Sequence, residues 1–284
     1  MSRNLIEIKN LRMKTLWKRI PFAKSKPRVS VLRLDGIIAP GGRMPGSALN
    51  DAVFAPLAES AFKKKKFREV ALLINCPGGS PVQSSLIASR IRRLADENDM
   101  QVTAFVEDLA ASGGYWLAAS ADEIYADSSS ILGSIGVISS SFGFHEMIGK
   151  LGIERRLYTA GRHKSFLDPF EPEKPADVRR LKSLHKSLHE TFIQHVKDRR
   201  EGRLDEDSDV FNGEFWLAEK AIELGLADKI GHLVPVMKEK HGDDVKFSVF
   251  GRRRPWLARI GSSLIQNVAE EIEERAIRYQ YGIR

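Results

Sequence analysis

Residues 109–120 read LAASGGYWLAAS, with one serine, Ser112, set between two alanines and two glycines. A serine hydroxyl becomes a nucleophile when a base takes its proton, and small neighbours let other backbone come close to it. The apolar run after Ser112 suits a helix that starts at that residue. A second glycine pair, Gly78-Gly79 in NCPGGS, stands at the end of another expected strand. Ligands of open α/β sheets collect at the carboxyl ends of strands, so both pairs can line one crevice. Their exposed amides, with the helix start at Ser112, are suited to hold a developing oxyanion. Either pair alone reads better as a tight turn; two pairs flanking a serine bring the oxyanion reading level with it.

The serine needs a base, and two types are available. Of the seven histidines, His185, His189 and His195 fall on a long charged helix and read as exposed. His145 follows FGF with only Glu146 close by, and His163 in AGRHKSFLDPF adjoins Lys164, which competes for the role. A Ser-His-Asp triad lacks the G-x-S-x-G elbow, because position 110 is alanine. Lysine serves if it is neutral: lowering its pKa from about 10.4 to about 7 requires disfavouring the charged form by about 4–5 kcal/mol, which burial can do. Phe166, Leu167 and Phe170 follow Lys164 and would make an apolar pocket for it, whereas Asp168 would oppose the shift. The strings SAFK at 60–63 and SLHK at 183–186 lack the companions of a β-lactamase-type site and are attributed to chance.

The elements that must position these groups alternate along the chain. VSVLRLDGII from Val29 reads as a first strand ending in the loop APGGRMPGS, and residues 47–66 read as a helix. REVALLIN is a buried strand cut off by CPGGSP, residues 82–97 have helical period, and MQVTAFVED is the next strand. After the quoted segment come DEIYAD and SILGSIGVISS as strands, FHEMIGKLG as a helix and IERRLYT as a strand. Residues 175–200 form a long amphipathic helix, and EFWLAEKAIELG a further one. Alternating strands and helices imply right-handed crossovers and a mostly parallel sheet.

Charge is distributed unevenly. The formal net charge is +8, and residues 1–28 hold nine Lys/Arg against one acid, Glu7, which leaves the remainder formally neutral. Met13, Leu16, Trp17 and Ile20 oppose Lys14, Lys18 and Arg19 at helical spacing, a pattern suited to peripheral contact with an anionic membrane or to a solvated extension. Nucleic acid is not expected as a partner. No segment has the roughly 20 apolar residues of a membrane span, and the basic start lacks a secretory core and cleavage site. A cytoplasmic protein, soluble or peripheral on the membrane's cytoplasmic face, is expected. Cys76, the single cysteine, excludes an intramolecular disulfide and a cysteine-based metal cluster. The expected organisation is a basic arm over 1–28, one α/β domain over 29–250 and a helical tail over 251–284.

In order and spacing, NCPGG, VTAFVED, LAASGGYWLAASADEIYADSSSILGSIGV and YTAGRHKS resemble the signal peptide peptidase A (protease IV) family of serine peptidases. The likeness spans about residues 29–240 and includes the closing segment around Gly213 to Gly231. It implies a ClpP/crotonase-like fold, with Ser112 as nucleophile and Lys164, 52 residues later, as its base. It also implies the amides of Gly79 and Gly113 as oxyanion donors, and Ser134 as the serine that orients the lysine. Extended peptides are the implied substrates, with no metal or cofactor. The implied assembly is a homo-oligomer in which neighbouring protomers supply Ser and Lys to one site. Two departures stand out: NCPGGS replaces the family's usual N-S/T-P-G-G-G, and the membrane anchor typical of bacterial members is not seen. Two rivals keep the same fold: a non-catalytic assembly or membrane-surface scaffold, and a crotonase-type acyl-CoA enzyme using Asp108 as its carboxylate.

Overall fold

The computed structural model describes residues 26–41, 48–63, 65–161 and 163–251. The expected basic arm, up to residue 25, and the expected helical tail, from residue 252, lie outside the described residues. Eight strands form one sheet: β1 (Arg28–Asp35), β2 (Glu69–Cys76), β3 (Val102–Ala111), β4 (Glu123–Ala126), β5 (Ile131–Gly133), β6 (Phe215–Leu217), β7 (Lys229–Ile230) and β8 (Lys246–Phe250). The path runs β6-β5-β3-β2-β1-β8, with β4 pairing β3 and β7. Every ladder is parallel except β5 with β6. The α/β class and the mostly parallel sheet expected from the alternation are therefore present.

Among the described residues, seven helices accompany the strands: α1 (Asp51–Ala61), α2 (Pro81–Asn98), α3 (Gly113–Ala118), α4 (His145–Lys150), α5 (Pro175–Arg199), α6 (Ala218–Glu223) and α7 (Leu233–His241). Local chemistry sets their limits. Ser80 caps α2 by accepting from the Gln83 amide, Pro81 occupies its first turn, and Asp99 ends it in the left-handed region at φ 48°. The main core lies between one face of the sheet and α1, α2, α3, α5 and α6. A smaller core, containing Val31, Ala71, Phe105, Tyr125 and Met237, lies between the other face and α7. At the amino ends of the central strands, the buried Glu69 carboxylate is held by Thr103, by His241 at 2.7 Å and by Lys240 at 3.4 Å. An unpaired carboxylate there would be costly, so this cluster fixes α7 on the sheet.

β3 is the strand that shapes the site. Between the partners Ile74↔Val106 and Cys76↔Ala110, β3 advances by two more residues than β2, which is a bulge. Before it, β3 pairs with β4; after it, β3 pairs with β5. The sheet therefore forks at residues 107–108.

Three elements differ from the expectation. IERRLYT at 153–159 is not a strand, because it lies in a segment, 137–174, none of whose described residues is buried. The helix expected to start at Glu214 begins four residues later, since Phe215–Leu217 pair with β5. The helix expected over 47–66 ends at Ala61.

Candidate active site

Ser112 lies at the turn from β3 into α3. Its φ of 51° and ψ of −121° place a non-glycine residue in a sparsely populated region, a local cost of about 1–3 kcal/mol. The surrounding hydrogen bonds hold it there. Its amide donates to the Gly133 carbonyl at 2.9 Å, and its own carbonyl accepts from the Trp116 amide at 3.0 Å. Every residue of 109–121 is buried except Ser112. The sharp strand-to-helix turn that the absent G-x-S-x-G pattern normally signals is thus built here with alanine at position 110.

The two glycine pairs are packed on each other. A Cβ on Gly78 would come within 2.7 Å of the Gly113 nitrogen and 2.9 Å of the Ser112 Cβ, so only glycine lets the loops meet. Gly79, at φ 137°, lies against Ile38, whose carbonyl would be 2.0 Å from an added Cβ. Ile38 also fixes the loop by donating to Gly78 at 2.8 Å and accepting from Ser80 at 2.7 Å. Gly113 is the first residue of α3, where amides have no intrahelical acceptor. The Gly78-Gly79 loop thus packs directly against Ser112 and Gly113.

Ser134 adjoins this frame. Ala111 and Gly133 are register partners, so Ser112 and Ser134 each follow one member of the same pair. Ser134 has φ 53°, and its amide donates to the Glu214 carbonyl at 2.6 Å.

Lys164 is placed differently. It lies in a turn of the 137–174 segment, where its amide donates to Gly161 at 3.2 Å, and its side chain is exposed. Among the described residues, no hydrogen bond joins it to Ser112. The apolar pocket expected from Phe166, Leu167 and Phe170 does not enclose it: Phe166 lies under the Arg180 guanidinium, and Phe170 packs on Phe144 and under Arg155. Asp168 is engaged as well, and the Arg155 guanidinium holds its carboxyl below the usual carboxylate range.

The histidines of α5 are half-buried rather than exposed. His195 stacks on Trp116 of α3 with ring centroids 5.1 Å apart, and its Nε2 lies 3.0 Å from the Trp116 carbonyl. Burial pushes its pKa down. The His189 Nε2 lies 3.0 Å from the Ile135 carbonyl, next to Ser134. These residues brace the site from behind, and their signal was present in the sequence. Positions 185, 189, 192, 196 and 199 form one stripe at helical spacing, with Phe192 and Val196 in the core. Asp108, the carboxylate an acyl-CoA reading requires, accepts a hydrogen bond from Asn75.

The sequence model of peptidase family S49 matches residues 95–245, just over half of the chain. Two relatives named Na(+)/H(+) antiporter NhaA, from Brucella melitensis and Brucella abortus, are 45% identical over 278 residues. That match covers 92% of this chain but only 38% of theirs. A probable protease SohB of Buchnera aphidicola is 30% identical over 73% of this chain and 61% of its own. A putative protease of Synechocystis is 25% identical over 89% of this chain and 90% of its own.

Proposed function

Because the chain belongs to peptidase family S49, we propose that it hydrolyses peptide bonds in extended peptides through an acyl-enzyme formed on Ser112. Lys164, neutral when enclosed, takes the serine proton and returns it to the leaving amine. The Gly79 and Gly113 amides hold the oxyanion, and Ser134 orients the lysine. Signal-peptide remnants and unfolded segments are the substrate class. The observation that carries this reading is the strained Ser112 itself, the single unburied residue of its stretch, with Gly78 seated directly on Gly113.

The exposed lysine fits a site completed by a second copy. Segment 137–174 shows Ile138, Phe142, Leu151, Ile153 and Tyr158 to solvent, Tyr158 with 90% of its surface free. Large apolar side chains left open at this density fit a contact surface, and contact with a neighbouring copy would supply the burial that a neutral lysine needs. Residues 1–28 supply peripheral membrane contact, on the cytoplasmic face. The antiporter name belongs to chains of which this one matches 38%, and no described helix is long and apolar enough to cross a membrane.

Two measurements test the reading. A serine-directed acylating inhibitor is expected to modify Ser112 alone, as read by mass spectrometry; labelling of another serine moves the active site. Ser112→Ala and Lys164→Ala, each inactive on a fluorogenic peptide, are expected to regain turnover when mixed, since mixed assemblies contain one intact site. Absence of recovery places both groups in one protomer.

A further inference from the structure

The fork in β3 makes a second feature that the peptidase reading leaves unused. Between its two branches lies a cavity of about 500 Å³, on the face of the sheet that carries α7. Leu73, Phe105, Leu233 and Val234 give it apolar walls. Glu107, Asp108 and Asp127 give it a carboxylate rim, with His232 3.4 Å from Asp127. Among the described residues, no lysine or arginine lines it. Arg33, beside the cavity, must serve both Asp35 at 2.8 Å and Glu107 at 3.1 Å. Burial pushes the Glu107 carboxyl up in spite of that partner. The cavity is therefore apolar inside and short of cations at its edge.

The chain itself carries the complement. Arg33, Leu73 and Phe105 are successive register partners across β1, β2 and β3. Gly251, just past the end of β8, extends the same row: a Cβ there would be 3.2 Å from the Arg33 Cβ. Residues 252–257 read RRRPWL. From Gly251 to Phe105 is three strand spacings, about 14 Å, and five extended residues reach about 17 Å. Trp256 can thus arrive over Phe105 after the three arginines have passed Asp35 and Glu107.

We propose that residues 252–257 dock in cis into this cavity, with Trp256 on its apolar walls and Arg252, Arg253 and Arg254 against Glu107, Asp108 and Asp127. The docking is independent of the peptidase chemistry. It fastens the chain beyond β8 across the carboxyl ends of β1–β3.

Disulfide trapping in the full chain tests this. Val234→Cys combined with Leu257→Cys is expected to form an intrachain disulfide on mild oxidation, in a yield at least about tenfold above that of Val82→Cys with Leu257→Cys, because only docking raises the local concentration. Val82 lies on α2, on the other layer of the sheet. Adding Glu107→Gln and Asp127→Asn is expected to cut the yield severalfold. Equal yields at the two positions, interchain disulfides only, or indifference to the carboxamide changes would overturn the proposal. A second readout needs no cysteine: the emission of Trp256, taken as wild type minus Trp256→Phe, is expected to be blue-shifted in buffer alone. Emission of a water-exposed indole overturns docking, and so does a blue shift that requires vesicles of anionic phospholipid.

Discussion

Residues 109–121 and 137–174 are built on opposite principles. The first stretch is enclosed on all sides and shows only a serine; no described residue of the second is buried, and it carries the lysine. Ser112 is held in a costly conformation by Gly133, Trp116 and the Gly78 loop, whereas Lys164 is held by one turn of its own segment. A nucleophile and its oxyanion donors must be fixed to within a fraction of an ångström before substrate arrives, and a core can do that. A neutral lysine needs enclosure more than precise placement, and enclosure can come from a second molecule. Under the proposed mechanism, one half of the site is a property of the folded chain, and the other half a property of its assembly.

That contrast is tested most severely by Lys164→Ala. Turnover is expected to fall by about 10⁴-fold or more with no measurable change in the Tm of the isolated chain, in which the side chain is exposed. A fall in Tm would show that the lysine belongs to the frame. Next in size is Gly79→Ala, which acts through the frame: the new Cβ meets the Ile38 carbonyl. Its expected signature is a rate loss of about 10²–10³, as for a displaced oxyanion donor, with stability lost in the same variant by chemical denaturation.

The exposed segment has its own diagnostic change. Phe142→Ser with Tyr158→Ser is expected to leave the denaturation free energy of the isolated chain within about 0.5 kcal/mol, as for surface positions. Specific activity should instead fall about tenfold on dilution, as weakened contacts let copies separate. Sedimentation at matched concentrations reads the change directly, and a constant assembly size would break the comparison.

Smaller effects probe the strain and burial of the enclosed stretch. Ser112→Gly removes the hydroxyl and also relieves φ 51°, so an inactive protein more stable by about 1 kcal/mol is expected. For His195, burial lowers the pKa of the folded state below the unfolded value of about 6.5. Across that window the unfolded chain binds more protons, so stability should decline as pH drops through about 6.5 towards the folded value. Urea midpoints near pH 7.5 and pH 5.5 should therefore differ less for His195→Asn than for wild type.

The sequence carried the enclosed half well. The runs that became β2 and β3 are rich in consecutive apolar residues, the run that became β1 alternates, and small residues around Ser112 and Gly78 announce close backbone approach. The exposed half was misread for the same reason. IERRLYT holds the β-prone residues Ile153, Tyr158 and Thr159, but such a run becomes a strand only where a neighbour offers an edge, and residues 153–159 have none among the described residues. The α5 histidines read as solvated because the charged residues around them dominate, although Phe192 and Val196 mark at helical spacing the stripe that is buried. The β3 fork had no local signal, because a bulge is a relation between two strands.

The placement of β1 has a consequence for how the protein is made. During synthesis β2 follows β1 closely, but the other neighbour of β1, β8, is translated more than 200 residues later. Until then one flank of β1 stays open, a window in which nascent chains need protection from mispairing.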